Sequence, residues 1–191
     1  MRISSRLMPR VARNPTSLGA WIVLAVLLVA LGCLLWEHPI PVLGFVAFFG
    51  AVSVIGSKRS KAHLSKLASH RAGESICTFA REANCRINDT WVVRAVYEQV
   101  QSYLGSEFHS FPLRWNDSFE KDLKIDIEDV DDVIALEVAE RTGRNYSETT
   151  GNPMYAKVGT VGDLVLFFCA QPVENGRSLT NPPNLSLSHP L

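Results

Sequence analysis

The chain predicts an all-α protein, with an N-terminal transmembrane helical hairpin followed by a small helical bundle. Three observations carry this reading. Two uncharged apolar runs stand close together, at residues 18–36 and 40–56. Past residue 88, apolar residues recur at three- and four-residue spacing in three series. Each series opens on capping residues (Asn88-Asp89-Thr90, Asp126, Thr160), and two end on a glycine (Gly105, Gly143). The third observation is a split of charge. The 191 residues are formally neutral, yet residues 1–66 hold eight Lys or Arg and one acid, while residues 67–191 hold eleven Lys or Arg and eighteen acids. A basic front and an acidic back mark a membrane-proximal part and a soluble domain.

Residues 1–17 form a basic N-terminus with Arg2, Arg6, Arg10 and Arg13. As a helix, the first apolar run would be about 29 Å long, close to the hydrocarbon thickness of a bilayer. The second run carries Pro41 in its first turn, where a missing N–H costs little. Neither run shows the polar face that a buried pair of soluble helices would have. Residues 18–56 are therefore read as a transmembrane hairpin turning at Glu37, His38 and Pro39. Lys58, Arg59, Lys61 and Lys66 follow it, and the turn holds no Lys or Arg. By the positive-inside rule this predicts a multi-pass protein of a bacterial inner membrane with both termini cytoplasmic, and with the lipid bilayer as its first partner. Trp21 and Trp36 stand near opposite ends of the first span, where indoles favour the interface. A cleaved signal peptide fits poorly, because the apolar region is long, no A-x-A site follows and a second span comes at once. Cys77, Cys85 and Cys169 read as reduced, free thiols of a cytoplasmic domain.

Residues 57–88 read as a juxtamembrane connector and a short amphipathic helix. The connector's cations suit anionic headgroups, or serve as a stop-transfer flank that only fixes topology. In the short helix, Ile76, Phe79, Ala80 and Ala83 point inward, and Arg81 and Arg86 outward. Residues 89–170 form the helical domain. Asn88-Asp89-Thr90 supplies capping residues for a helix over 91–104 with Val92, Val93, Val96, Val100, Tyr103 and Leu104 as its inner row. A loop through Phe111, Pro112, Leu113 and Trp115 leads to Asp126, which caps a helix over 127–142. Its expected inner positions are Ile127, Val130, Val133, Ile134, Leu136 and Val138. After a loop with Gly151-Asn152-Pro153, Thr160 caps a last helix with Val161, Leu164, Val165, Phe167 and Phe168 inside. Residues 171–191, rich in Pro, Asn and Ser, read as a disordered tail.

Three local patterns point to a family. Asp117-Ser118-Phe119-Glu120-Lys121-Asp122-Leu123 resembles the "sF-eDL" approach of acyl carrier proteins to their second helix. Asp122-Leu123-Lys124-Ile125-Asp126 resembles their "DLG-D" turn, with Lys124 in place of the usual glycine. Gly159-Thr160-Val161-Gly162-Asp163-Leu164 resembles the "TVgdl" start of their last helix. In this order, over residues 89–169, the chain resembles the acyl carrier fold. It is also similar to uncharacterised bacterial acyl-carrier-like domains that carry "DLGIDGDD" and lack the family's serine. That serine begins the second helix and carries phosphopantetheine. Here its place is held by Asp126 or Ile127, depending on register, and no Ser occurs between residues 119 and 146. Asp126 cannot replace the hydroxyl and Ile127 has no heteroatom. The resemblance therefore implies the fold without a cofactor, an attachment site or catalysis.

The resemblance further implies a docking surface, since carrier proteins present an acidic second helix to Arg and Lys patches of partner proteins. The candidate partner-binding residues are Asp126, Glu128, Asp129, Asp131 and Asp132, followed on the same helix by Glu137 and Glu140. A solvated acidic face is the plainer alternative. A carrier modified at another residue and a homo-oligomer held by apolar surfaces also stand as alternatives. A calcium loop starting at Asp126 fails, because Val130 falls at position five and Asp131 where Gly is required. His38, His63, His70, His109 and His189 are scattered, no Gly-rich phosphate loop occurs, and no basic-aromatic strip suits nucleic acid.

Overall fold

A computed structural model of the chain describes residues 5, 8, 18–37, 39–108 and 110–173. Arg2, Arg6, Arg10, Arg13, His38, His109, His189 and the tail past residue 173 lie outside the described residues. The regular structure that is described is helical, with two isolated antiparallel bridges, Ser118–Thr160 and Arg144–Val173. The chain divides into two compact units, Ala12–Lys66 and Met1–Val11 with Leu67–Leu191.

The first unit holds α1 (Leu18–Glu37) and most of α2 (Pro39–His70). Trp21, Val26 and Val29 on α1, and Phe45, Phe48, Val52 and Ile55 on α2, are each more than half exposed. Of the described helices, α2 alone is long and apolar enough to cross a membrane, and Trp21–Cys33 is a shorter apolar stretch. The hairpin expected from the two apolar runs is thus shown only in part, as one long apolar helix, α2. The connector expected from residue 57 is no break either. Helix α2 continues through Ser57 to His70, because the segment past Gly56 has neither Gly nor Pro and is rich in Ala, Lys, Leu and Ser.

The second unit is built around α4 (Thr90–Leu104). The Asp89 carboxylate accepts the Trp91 N–H at 3.0 Å, and Gly105 ends the helix at φ 98. Val92, Val93, Val96 and Val100 are buried as the spacing predicts, joined by Trp91, Ala95 and Tyr97, while Tyr103 and Leu104 are half-buried. α3 (Ile76–Glu82) seats Phe79 against the Tyr97 ring, with Arg81 and Arg86 exposed. A 3₁₀ turn (Ser106–Phe108) and a loop burying Phe111 and Leu113 lead to a single π turn, Phe119–Leu123. The acidic helix follows as α5 (Ile127–Asp129), a π segment (Val130–Ala135) and α6 (Leu136–Thr142). Both it and α7 (Val161–Ala170) pack on α4.

The π segment changes which side chains face inward. A π turn holds an extra residue, so the helix rotates out of its 3.6-residue phase. Val130, Ile134 and Val138 are buried at strict four-residue spacing. Ile127 and Val133 are only half-buried. Leu136, expected inside, is 52% exposed, because two residues past Ile134 any α-helix has turned about 200°. Ala135, Ala139 and Thr142 take the vacated inward places.

Candidate functional site

The acidic helix is positioned by the turn before it. The Ser118 hydroxyl accepts the Lys121 N–H at 3.3 Å, and the Asp122 carboxylate accepts the Ser118 N–H at 2.9 Å. Backbone N–H groups of Leu123 and Ile125 close the turn onto the Ser118 and Phe119 carbonyls. Lys124 sits between them in the left-handed region, at φ 57 and ψ 36. This is a conformation that glycine adopts freely and a lysine adopts at some cost. The approach segment is also zipped to the start of α7. Phe119 N–H donates to Gly159 O, Val161 N–H to Asp117 O, and Gly162 N–H to Trp115 O. A Cβ on Gly162 would fall on the Trp115 indole, so glycine there is a packing requirement. Thr160 and Asp163 complete a reciprocal capping box at the start of α7.

Four of the five sequence-assigned acids are exposed together: Asp126, Glu128, Asp131 and Asp132. Asp126 takes the extended backbone of a capping residue, but its carboxylate makes no capping bond, contrary to expectation. Asp129 departs from the set. It is half-buried, and the Tyr103 hydroxyl donates to its carboxylate at 2.7 Å. Burial and the neighbouring Asp132 charge push the Asp131 carboxyl above its ordinary range. Beside it, burial first and then the Asp131 and Asp132 charges push the Tyr146 hydroxyl up to about 12. Further along the helix, exposed Leu136 stands one turn from Asp132 and one from exposed Glu140.

The sequence reading missed where the domain's arginines go. Arg71 and Asp117 form a buried two-pronged pair at 2.6 and 2.7 Å, and Arg71 also donates to the Pro112 carbonyl. Glu98 accepts from Arg94 at 2.9 Å and from buried Arg141 at 2.5 Å. Arg144 reaches Asp89 at 2.9 Å, and Arg114 pairs with Glu74. Burial works to raise the Glu98 carboxyl, but the hydrogen bonds from Arg141 and Arg94 outweigh it and hold the group below its ordinary range. All five of these arginines answer acids that lie off the acidic helix. Among the described residues, Asp126, Glu128, Asp131, Asp132 and Glu140 make no ion pair. The one signal in the sequence was Arg141 itself, which sits three residues past Val138 on the inward row.

A cavity of about 240 Å³ lies between the head of the acidic helix, the loop after it and α7, bounded by Ile127, Asp131, Ala135, Tyr146, Tyr155 and Phe167. Its polar lining includes Asp131, Tyr146, Thr149 and Tyr155. Neither Asp126 nor Ile127 offers a hydroxyl, and the Ser118 hydroxyl is engaged at the other end of the turn. No group of His, Cys, Asp and Glu among the described residues is arranged to hold a metal ion. No protein-family model, curated protein or solved structure matches the chain.

Proposed function

We propose that the protein is a membrane-anchored, non-catalytic module that docks a basic protein partner through its acidic helix. One observation carries the proposal. Five arginines are engaged by acids elsewhere in the domain, while Asp126, Glu128, Asp131, Asp132 and Glu140 stay on the surface without a cation. Like charges one turn apart on a helix each cost a few tenths of a kcal/mol. At Asp131, burial first and then the adjacent Asp132 charge raise the carboxyl. A partner's cations would relieve the repulsion, and Leu136, exposed amid the acids, adds an apolar contact to the same face.

The anchor rests on the exposed apolar surface of α1 and α2, which water covers at a cost of about 25 cal/mol for every Å². With α1 as its second helix, the anchor is a hairpin in a bacterial inner membrane, both chain ends on the cytoplasmic side. Support for a carrier-like fold comes from Lys124, whose left-handed backbone occupies the place of the family's glycine.

Carbodiimide cross-linking in native membranes tests the docking. It joins carboxylates to lysines only at contact distance, and the cross-links are then mapped by mass spectrometry. Links from Glu128, Asp131 or Asp132 to a lysine-rich surface of another protein should form, and should vanish in E128Q/D131N/D132N. Links that survive the triple variant at other positions, or a phosphopantetheine adduct in the intact mass, would overturn the reading.

A further inference from the structure

The proposal above leaves the cations of α2 without a role. We infer that Lys58, Arg59 and Lys61 form a collar that binds the phosphate groups of anionic phospholipids; this rests on the reading that α2 spans the bilayer. The argument starts from register. Helix α2 is unbroken from Pro39 to His70, and its uncharged part, residues 40–57, covers about 27 Å at 1.5 Å per residue. That length nearly fills a hydrocarbon core of about 30 Å. Lys58, Arg59 and Lys61 then fall within the first turn beyond it, at the level of the headgroups. Lys66 stands about 12 Å past Lys58, outside a headgroup layer some 5–8 Å deep on each side.

Exposure agrees with that placement. At 100° per residue, the three cations fan over about 160° of the helix. All three are exposed, as are Ala62 and Ser65 between them. The opposite side carries Leu64 and Arg71, both buried, and half-buried Leu67. Arg71, just past the end of α2, is engaged in its pair with Asp117. The three cations thus share one side of the helix.

Its geometry suits a plane of phosphates and not a single free anion. Three long side chains fanning outward from one helix turn diverge, so they cannot converge on one phosphate as a cage would. Each can meet a separate headgroup in a surrounding layer. A Lys or Arg near such a surface contributes about fivefold in affinity, and the effect is screened over about 10 Å at 0.1 M salt.

The test uses the full chain reconstituted in phosphatidylcholine vesicles containing phosphatidylglycerol, with spin-labelled forms of both lipids as probes. The wild-type protein should retain the labelled phosphatidylglycerol several-fold more than the labelled phosphatidylcholine. K58Q/R59Q/K61Q should lose that selectivity while K66Q keeps it, and added salt should weaken it. Equal retention of the two lipids by inserted wild-type protein, or full selectivity in the triple variant, would overturn the collar and leave the anchor standing. Release of the wild-type protein from the vesicles by alkaline carbonate would overturn the anchor, and the collar with it.

Discussion

The buried Arg71–Asp117 pair sets where the folded domain must begin. By sequence periodicity alone, a fragment starting at Glu74 keeps every helix of the second unit. By the ion pair, it removes Arg71 and leaves a carboxylate that is 3% exposed without its cation. Breaking a buried pair from one side costs about 3–5 kcal/mol, because the remaining charge stays desolvated. A domain of this size has about 5–15 kcal/mol in total, so the loss is at least about a fifth of its stability. With a urea slope of about 2 kcal/mol per M, the unfolding midpoint of the fragment 74–173 should fall by about 2 M relative to 67–173. Helical circular dichroism read against urea measures this. Two substitutions separate the charge from the lost packing of Leu67. Asp117→Asn in the longer fragment should reproduce most of the drop, and Asp117→Leu in the shorter one should recover part of it. Equal midpoints for the two fragments, or an unaffected Asp117→Asn, would refute the reasoning.

Other substitutions test the packing and the charge. Gly162→Ala places a methyl against the Trp115 indole and should cost about 1–3 kcal/mol by overpacking, read as a lower urea midpoint. Ile134→Asp should unfold the domain, since the side chain is fully buried. Leu136→Asp, only two residues on but about 200° round the helix, should change stability by less than about 0.5 kcal/mol. Glu98 makes stability acid-sensitive. Its folded pKa lies below its unfolded value of about 4.3. Its contribution is therefore present above that value and lost as pH falls through the folded pKa. Glu98→Gln should lower the midpoint at pH 7 and flatten its decline on acidification.

What the sequence made legible was local. Asp89, Gly105, Gly143 and Thr160 mark helix ends because a cap involves only the next few residues. The inner row of α4 followed from its spacing for the same reason. The errors fall where a distant residue decides. Asp129 turns toward Tyr103, 26 residues away, and so leaves the candidate docking set. Gly162 reads as an ordinary family position until Trp115 arrives from the preceding loop. Arg71 looks like a connector cation, yet its partner lies 46 residues on. The phase of the acidic helix slips at Val130–Ala135, a π segment that residue-by-residue propensity does not encode. Asp126, Glu128, Asp131 and Asp132 survive as exposed acids because all four sit in or before the helix's first turns, where little of the slip has accumulated.

The fate of the arginines explains why negative charge collects on one helix. Guanidinium is suited to fixed, partly buried carboxylate pairs, because its planar fork offers several donors at once. In this domain Arg71, Arg94, Arg141 and Arg144 are held that way, and Arg114 pairs with Glu74 at the surface, so they no longer balance the acids of the helix. Folding thus converts a modest acidic excess into a localised one. The two populations of charge should respond differently to salt. Exposed carboxylates are screened over about 10 Å at 0.1 M and over about 3 Å at 1 M. The pairs at Asp117 and Glu98, being wholly or largely buried, are screened much less. Raising salt from about 0.05 to 0.5 M should therefore release a protein cross-linkable at Glu128, Asp131 or Asp132. Over the same range the urea midpoint should hold steady or rise slightly, as repulsion along the acidic helix is relieved. A midpoint that falls in step with partner release would mean that salt acts by unfolding the domain, and that the exposed acids have no separate part in docking.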